Sequence, residues 1–177
     1  MEESYALFDS SIGWIGLVWS TRGLKALFLP EQTKDATERS MRERHPRAVQ
    51  LQPTPTMVKV IGQIQNLLSG GQELFQGVEL DLSNVSPFYQ TVYELARKIP
   101  PGQTRSYGDL AQALGKKGAA RAVGQALGRN PIAIIIPCHR VLGKNGSIGG
   151  FSAPGGTRTK LHLLALEQGL EPVHKSI

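Results

Sequence analysis

The single cysteine of this 177-residue chain, Cys138, stands in the run Pro137-Cys-His-Arg-Val141, and that run is where the sequence could do covalent chemistry. A thiolate is a strong nucleophile, but a free cysteine has a pKa of about 8.5, so only a small fraction is ionised at neutral pH. Two potential cations follow it, His139 and Arg140, and nearby positive charge lowers a thiol pKa. The plainer reading is a small buried apolar residue, the usual role of a free cysteine. That reading is weakened by the setting, because apolar residues precede Cys138 and polar ones follow it. A cysteine protease is not indicated, since such enzymes lack this run and take their histidine from far along the chain. One cysteine can form neither an internal disulfide nor a Cys-rich zinc site, and a reducing intracellular compartment is expected.

A second constellation precedes the first. Arg121, Gln125 and Arg129 recur every four residues, with Gly124 and Gly128 beside them and Val123 and Leu127 opposite. Two cations and an amide on a helix face kept low by glycine and alanine would let that helix approach DNA closely. Each interior glycine costs about 1 kcal/mol relative to alanine, which suggests a steric need. A solvated helix face with glycines used for internal packing fits the same pattern, and the residues alone leave both open.

The elements that must position these residues follow from periodicity and breakers. Ile132–Ile136 reads as a buried strand that delivers Cys138 at its end, and Asn130-Pro131 closes the helix before it. That helix, Gly118 to about Arg129, should bury Ala119 or Ala120, Val123, Ala126 and Leu127. Ahead of it Ser106-Tyr-Gly-Asp109 has capping-box form, opening a short helix that shows one face of Tyr107, Leu110, Ala111 and Leu114. Two short helices across a Gly/Lys turn make a helix-turn-helix pattern. Further upstream Phe88, Val92, Leu95, Ala96 and Ile99 form one helical stripe, broken by Pro100-Pro101-Gly102. The first third reads as a meander of strands (Tyr5–Phe8, Trp14–Trp19, Leu24–Leu29) with turns between them. A polar helix over Glu31–Arg44 comes next, then one built on Val58, Ile61, Ile64 (or Val60), Leu67 and Leu68. Val78–Leu82 alternates as a half-buried strand would.

Composition bounds the partners. With 40% hydrophobic and 19% charged residues the chain is in the ordinary globular range. No apolar run approaches the roughly 20 residues that a membrane-crossing helix needs, and the N-terminus lacks a signal-peptide pattern. The net charge of +6 is uneven: residues 1–90 carry eight Lys/Arg against ten Asp/Glu, and residues 91–177 carry twelve against four. A basic second half suits a polyanion, although many basic proteins bind nothing acidic.

Taken together, Ile134-Ile-Ile-Pro-Cys-His-Arg-Val141 resembles the active-site signature of the O6-alkylguanine-DNA alkyltransferases, the methylated-DNA–protein-cysteine methyltransferases. The similarity extends through Ser86-Pro-Phe88, Gly102–Ala111, Ala120–Gly124, Gly128–Pro131, Gly149–Ser152 and Lys160–Gly169, covering about residues 78–170. The resemblance implies a fold of mixed α/β (α+β) class. A small N-terminal antiparallel-sheet-plus-helix domain of ribonuclease H-like form (1–83) would precede a mainly helical winged helix-turn-helix domain (84–177).

It also implies roles. Cys138 would accept the alkyl group from guanine O6 by in-line displacement and keep it as a thioether, so each molecule acts once. His139 would be the base acting through a water, Glu167 the carboxylate behind it, and Asn130 the support of the loop. Arg121 would fill the space left by a flipped nucleotide, and Tyr107 would crowd the 3′ phosphate and donate to guanine N3. Ala120, Gly124, Gln125 and Arg129 would complete a surface inserted in the minor groove. The base would rest against Phe151 and Ser152, with the carbonyls of Cys138 and Val141 reading its amino group and the Ser152 N–H reading O6. Many relatives have tyrosine at Phe151, and some have proline at Ala133, which bears on pocket width. With no second cysteine, no zinc is expected, and no cofactor. The implied partner is double-stranded DNA carrying O6-alkylguanine, with O4-alkylthymine as a further substrate, bound by a monomer in the cytoplasm (at the nucleoid in a bacterium or archaeon) and away from membranes. Three rivals are a non-catalytic alkyltransferase-like protein that flags lesions, a sequence-reading helix-turn-helix regulator and a cysteine hydrolase. Relatives of the first kind typically replace the cysteine, which this chain retains.

Overall fold

A computed structural model describes residues 2–169; the expected second domain's last residues, 170–177, lie outside the described residues. The chain opens with β1 (Ser4–Phe8), β2 (Ile15–Ser20) and β3 (Gly23–Phe28), joined as antiparallel neighbours. A short β4 (Val49–Gln50) adds parallel to the free edge of β1, giving the order β3-β2-β1-β4. β2 is buried along its whole length because both faces of the sheet are covered. Ile15, Leu17 and Trp19 face the main core, while Val18 joins Tyr5, Ala26 and Met41 beneath α1 (Lys34–Arg44). This is the two-residue alternation of a strand read out on two sides. Helix α1 comes very close to β2 at Gly16, where an added Cβ would stand 3.0 Å from the Met41 sulfur.

Helix α2 (Pro55–Leu68) starts on a Thr54 cap with proline in its first turn, and it buries Met57, Val60, Ile64, Leu67 and Leu68. Val60 rather than Val58 is therefore on the inner face, and Val58 is exposed. The expected strand at Val78–Leu82 is not one. The segment touches β3 through a single bridge, Leu24 to Leu80, because only two backbone bonds form, Leu24 N–H to Glu79 and Asp81 N–H to Leu24.

The second half is mainly helical. It comprises α3 (Pro87–Arg97), α4 (Tyr107–Ala113), α5 (Ala120–Gly128) and α6 (Thr157–Glu167), with the two-residue strands β5 (Arg105–Ser106) and β6 (Val141–Leu142) paired in parallel. The capping box forms as expected: Asp109 N–H donates to Ser106 Oγ at 3.0 Å and Ser106 N–H to Asp109 Oδ2 at 2.7 Å. Val123, Ala126 and Leu127 are buried on α5, whereas Ala119 and Ala120 are half-buried. The hydroxyl of Tyr93 on α3 donates to the Ala126 carbonyl at 2.9 Å and ties α3 to α5. One hydrophobic cluster runs from Ala6 to Leu163 and unites both halves.

Candidate active site

The segment that carries the cysteine departs from expectation. Ile132–Ile136 is buried throughout, yet only Ile132 pairs like a strand residue, through a bridge to Leu27 of β3. Beyond it the chain turns, with Ile134 at a φ of 71°. That left-handed conformation is rare for a β-branched residue and costs about 1–3 kcal/mol. A run of isoleucines gives no hint of it, since buried strand and buried turn share the same composition. After Pro137 a one-turn 3-10 helix, Cys138–Arg140, presents the thiol.

Asn130 organises this turn with all of its amide. Its Oδ1 accepts from the Ile132 N–H at 2.9 Å, while Nδ2 donates to the Ile136 carbonyl at 2.8 Å and to Cys138 Sγ at 3.2 Å. The turn is also anchored outside itself, because the Leu27 N–H donates to the Pro131 carbonyl at 2.9 Å. The end of β3 is therefore part of the nucleophile's mount.

Cys138 is 8% exposed, and burial pushes its thiol pKa up; the Asn130 donor, the charge of Lys160 and nearby backbone N–H groups oppose that rise without reversing it. The expected lowering by His139 and Arg140 does not occur, because neither acts on the sulfur as a free cation. Burial drives the pKa of His139 down, against the pull of Glu167, and leaves the ring neutral at pH 7. Arg140 is turned away to Glu167. Its Nε lies 3.0 Å from both carboxylate oxygens, Nη2 is 2.8 Å from Oε1, and Nη1 donates to the Ile99 carbonyl at 2.6 Å.

Glu167 is the hub. Burial alone would raise its pKa, but hydrogen bonds from His139 and Arg140 and the charge of Arg140 bring it down to about 2. Its Oε2 also accepts from the Gly102 N–H at 3.2 Å. His139 Nε2 lies 2.6 Å from Glu167 Oε1. An ionised carboxylate only accepts, so Nε2 carries the proton and Nδ1 holds the lone pair. Nδ1 is buried and has no hydrogen-bond partner. A neutral imidazole with one nitrogen fixed and the other open is a base awaiting a proton.

Sequence reasoning missed Lys160. It is fully buried on α6, donates to the Val141 carbonyl at 2.7 Å and lies 5.7 Å from the Tyr107 ring centre. Burial lowers its pKa, and Cys138 pulls the other way. Its position three residues before Leu163 and seven before Glu167, both buried, is the signal that could have found it. Tyr107 is half-buried, and burial together with Cys138 raises its pKa.

The remaining expected residues gather at a crevice of about 620 Å³ along α5. Tyr107, Ala120, Arg121, Gly124 and Gln125 line one side, with Phe151 and Ser152 across from them, and Cys138 opens into it. Arg129 is placed apart, at the C-terminal cap of α5 and beside Tyr89 and Tyr93 in a different depression. Val141 does not line the crevice; it is buried in β6, and Lys160 already engages its carbonyl. Among the described residues no three of His, Cys, Asp and Glu group as metal ligands, and no helix is long and apolar enough to cross a membrane.

Comparison with known proteins identifies relatives over nearly the whole chain. Residues 87–169 match the family model described as 6-O-methylguanine DNA methyltransferase, DNA binding domain. The methylated-DNA–protein-cysteine methyltransferase of Mycolicibacterium paratuberculosis is 39% identical over 168 residues, spanning 95% of this chain and 94% of that protein. Among solved structures, Mycobacterium tuberculosis OGT in complex with DNA is similar with a TM-score of 0.76 at 37% identity, over 98% of this chain and 96% of that one. The O6-methylguanine-DNA methyltransferase of the archaeon Pyrococcus kodakaraensis gives 0.71 at 28% identity, over 93% and 98%. On identity that runs nearly end to end, the chain belongs to the methylated-DNA–protein-cysteine methyltransferase family.

Proposed function

We propose that this protein repairs DNA by direct reversal, moving the alkyl group of O6-alkylguanine irreversibly onto Cys138. The observation that carries this is a lone thiol opening into the crevice beside α5, with a base behind it whose free nitrogen has no other partner. The thiol proton passes through a water to His139 Nδ1, and the imidazolium so formed is held by ionised Glu167, which Arg140 and Gly102 fix in place. Sulfur then displaces guanine O6 from the alkyl carbon, and the proton returns to the released guanine. This is the logic of nucleophile, base and orienter. A thioether offers water no carbonyl to attack, so the protein is consumed.

Double-stranded DNA is engaged through the minor groove by α5. The base leaves the stack at a cost of a few kcal/mol, and Arg121 enters the gap. Ala120, Gly124 and Gln125 lie against the backbone, and Arg129 reaches a phosphate further along. Tyr107 donates to guanine N3, the Ser152 N–H reads O6, Phe151 packs on the ring, and the carbonyl of Cys138 takes the amino group, while that of Val141 stays with Lys160. We place the domain boundary at 83/84, between the segment bridged to β3 and the Ser86 cap of α3, and expect a monomer working where the DNA lies, in the cytoplasm.

The test is to incubate the protein with O6-methylguanine DNA and weigh it intact. One methyl mass on the peptide holding Cys138, absent in Cys138→Ser, is the expected result. Multiple turnovers, or an unmodified protein that still binds the lesion, would refute the reading.

A further inference from the structure

Of the nine residues of α5, only Arg121 and Gln125 carry polar side chains. Val123, Ala126 and Leu127 are buried, so the outward face consists of these two with Ala122, Gly124 and Gly128 around them. Arg121 and Gln125 are both exposed, and both line the crevice into which Cys138 opens. Gln125 also borders a shallow depression at the start of the helix, together with Gly118, Ala119 and Ala122. No group among the described residues bonds its side-chain amide. Beyond its arginine, α5 therefore offers one neutral side chain with a donor and an acceptor at its tip.

The chemistry of that tip selects what it can read. In the minor groove an A·T pair shows only the acceptors adenine N3 and thymine O2, whereas guanine adds the N2 amino donor beside its own N3. A glutamine amide holds an acceptor oxygen beside donor N–H groups. It matches guanine with two hydrogen bonds and adenine with one. Arginine only donates, so Arg121 makes no such distinction. Apart from Arg121, nothing taller than a methyl group stands beside Gln125 on the outward face. The amide can come down to the base edges while its stem lies along the backbone. Four residues of helix rise about 6 Å, and stacked bases are about 3.4 Å apart. With Arg121 in the place of the flipped nucleotide, the tip of Gln125 falls within the next two base pairs on one side.

We propose that Gln125 reads the base pairs flanking the lesion and favours guanine there, through its N2 amino group and N3, so that the rate of repair depends on sequence context. The inference rests on the alkyl-transfer reading and on entry of α5 into the minor groove. It adds to them a residue that determines which lesions are repaired first. Phosphate contacts fix position without carrying sequence; the amide supplies the sequence term.

The test is a cycle between one side chain and one exocyclic group. Single-turnover methyl transfer is measured on O6-methylguanine duplexes at subsaturating concentration. Each of the two pairs on either side of the lesion is, in turn, G·C or inosine·C, with the purine on either strand. Inosine is guanosine without the N2 amino group. Wild type, Gln125→Ala and Gln125→Met are compared, with a thermal melt of each to confirm folding. Removing the amino group also eases unpairing, but that effect is common to the three proteins and cancels between their ratios. At one placement, or at two adjacent ones on the same side, the guanine-to-inosine rate ratio of wild type should exceed that of both variants about fivefold, the scale of one hydrogen bond. Equal ratios in all three proteins at every placement would overturn the proposal. So would a ratio that falls in Gln125→Ala but not in Gln125→Met, because bulk and not the amide would then be responsible. Absence of methyl transfer by wild type on every duplex is a different failure, which takes down the alkyl-transfer reading and this inference with it.

Discussion

At the sulfur of Cys138, burial opposes ionisation while an amide donor and a buried lysine favour it. The resting thiol is therefore guarded, and on the proposed mechanism its reaction depends on His139 taking the proton at the moment of attack. Iodoacetamide should accordingly modify Cys138 slowly at pH 7 and faster as the pH rises. Lys160→Met, which removes the charge but keeps the bulk, should move that alkylation profile to higher pH and slow alkyl transfer in parallel; an unchanged profile would show that the lysine only packs. Glu167→Gln tests the hub. It should cost about 10²–10⁴ in transfer rate, the usual worth of a positioned base. It should also remove about 3–5 kcal/mol of stability in a denaturant titration, because Arg140 is left buried without its counter-charge. The sequence marked Cys138, His139, Glu167 and Asn130 by resemblance. It could not show that Arg140 serves Glu167 instead of the thiol, since adjacency in the chain says nothing about which way a long side chain turns.

At the scale of elements, α5 can be judged by what its glycines touch. A Cβ at Gly124 would meet the Tyr107 ring at 3.8 Å, an ordinary contact, and one at Gly128 would meet nothing within 4 Å. Internal packing therefore requires neither glycine, which favours the reading that the helix keeps a low surface for an outside partner. Gly128→Ala should stabilise the fold slightly, by less than the roughly 1 kcal/mol of an interior helix position because it ends α5, while weakening DNA binding in a fluorescence titration. Arg121→Ala should slow repair in duplex DNA yet spare reaction with free O6-benzylguanine base; equal losses in both assays would show that the arginine does not act on flipping. The capping box of α4 and the buried face of α5 were legible because caps and 3.6-residue periodicity are local signals. The Ile132–Ile136 turn and the weak Val78–Leu82 pairing were not. Whether an apolar stretch finds a strand partner depends on distant chain, and here each finds only one bridge to β3.

For the whole molecule, the two lowered pKa values of the site fix how acid acts. His139 titrates in the folded state below its ordinary 6.5, so the unfolded chain takes up protons first and stability falls as the pH drops below about 6.5. Glu167, held near 2 against an ordinary 4.5, contributes stability above pH 4.5 that is lost as the pH falls toward 2. Thermal melts should therefore decline in two stages on acidification, and Glu167→Gln should shrink the lower stage, leaving the part owed to Asp81, which Ser20 and Ser83 also hold at about 2. The basic second half predicts that DNA affinity falls steeply with salt, since each phosphate contact releases counterions; a flat response would count against phosphate contacts by α5.

The hub carboxylate belongs to the final residue of α6, and its partners lie some thirty to seventy residues upstream. Ribosomes release a chain from its beginning, and early regions fold first. A nascent polypeptide whose cysteine has already emerged still has no oriented base until residue 167 clears the exit tunnel. On the proposed mechanism, synthesis thus keeps this single-use sulfur idle until Glu167 is in place behind it.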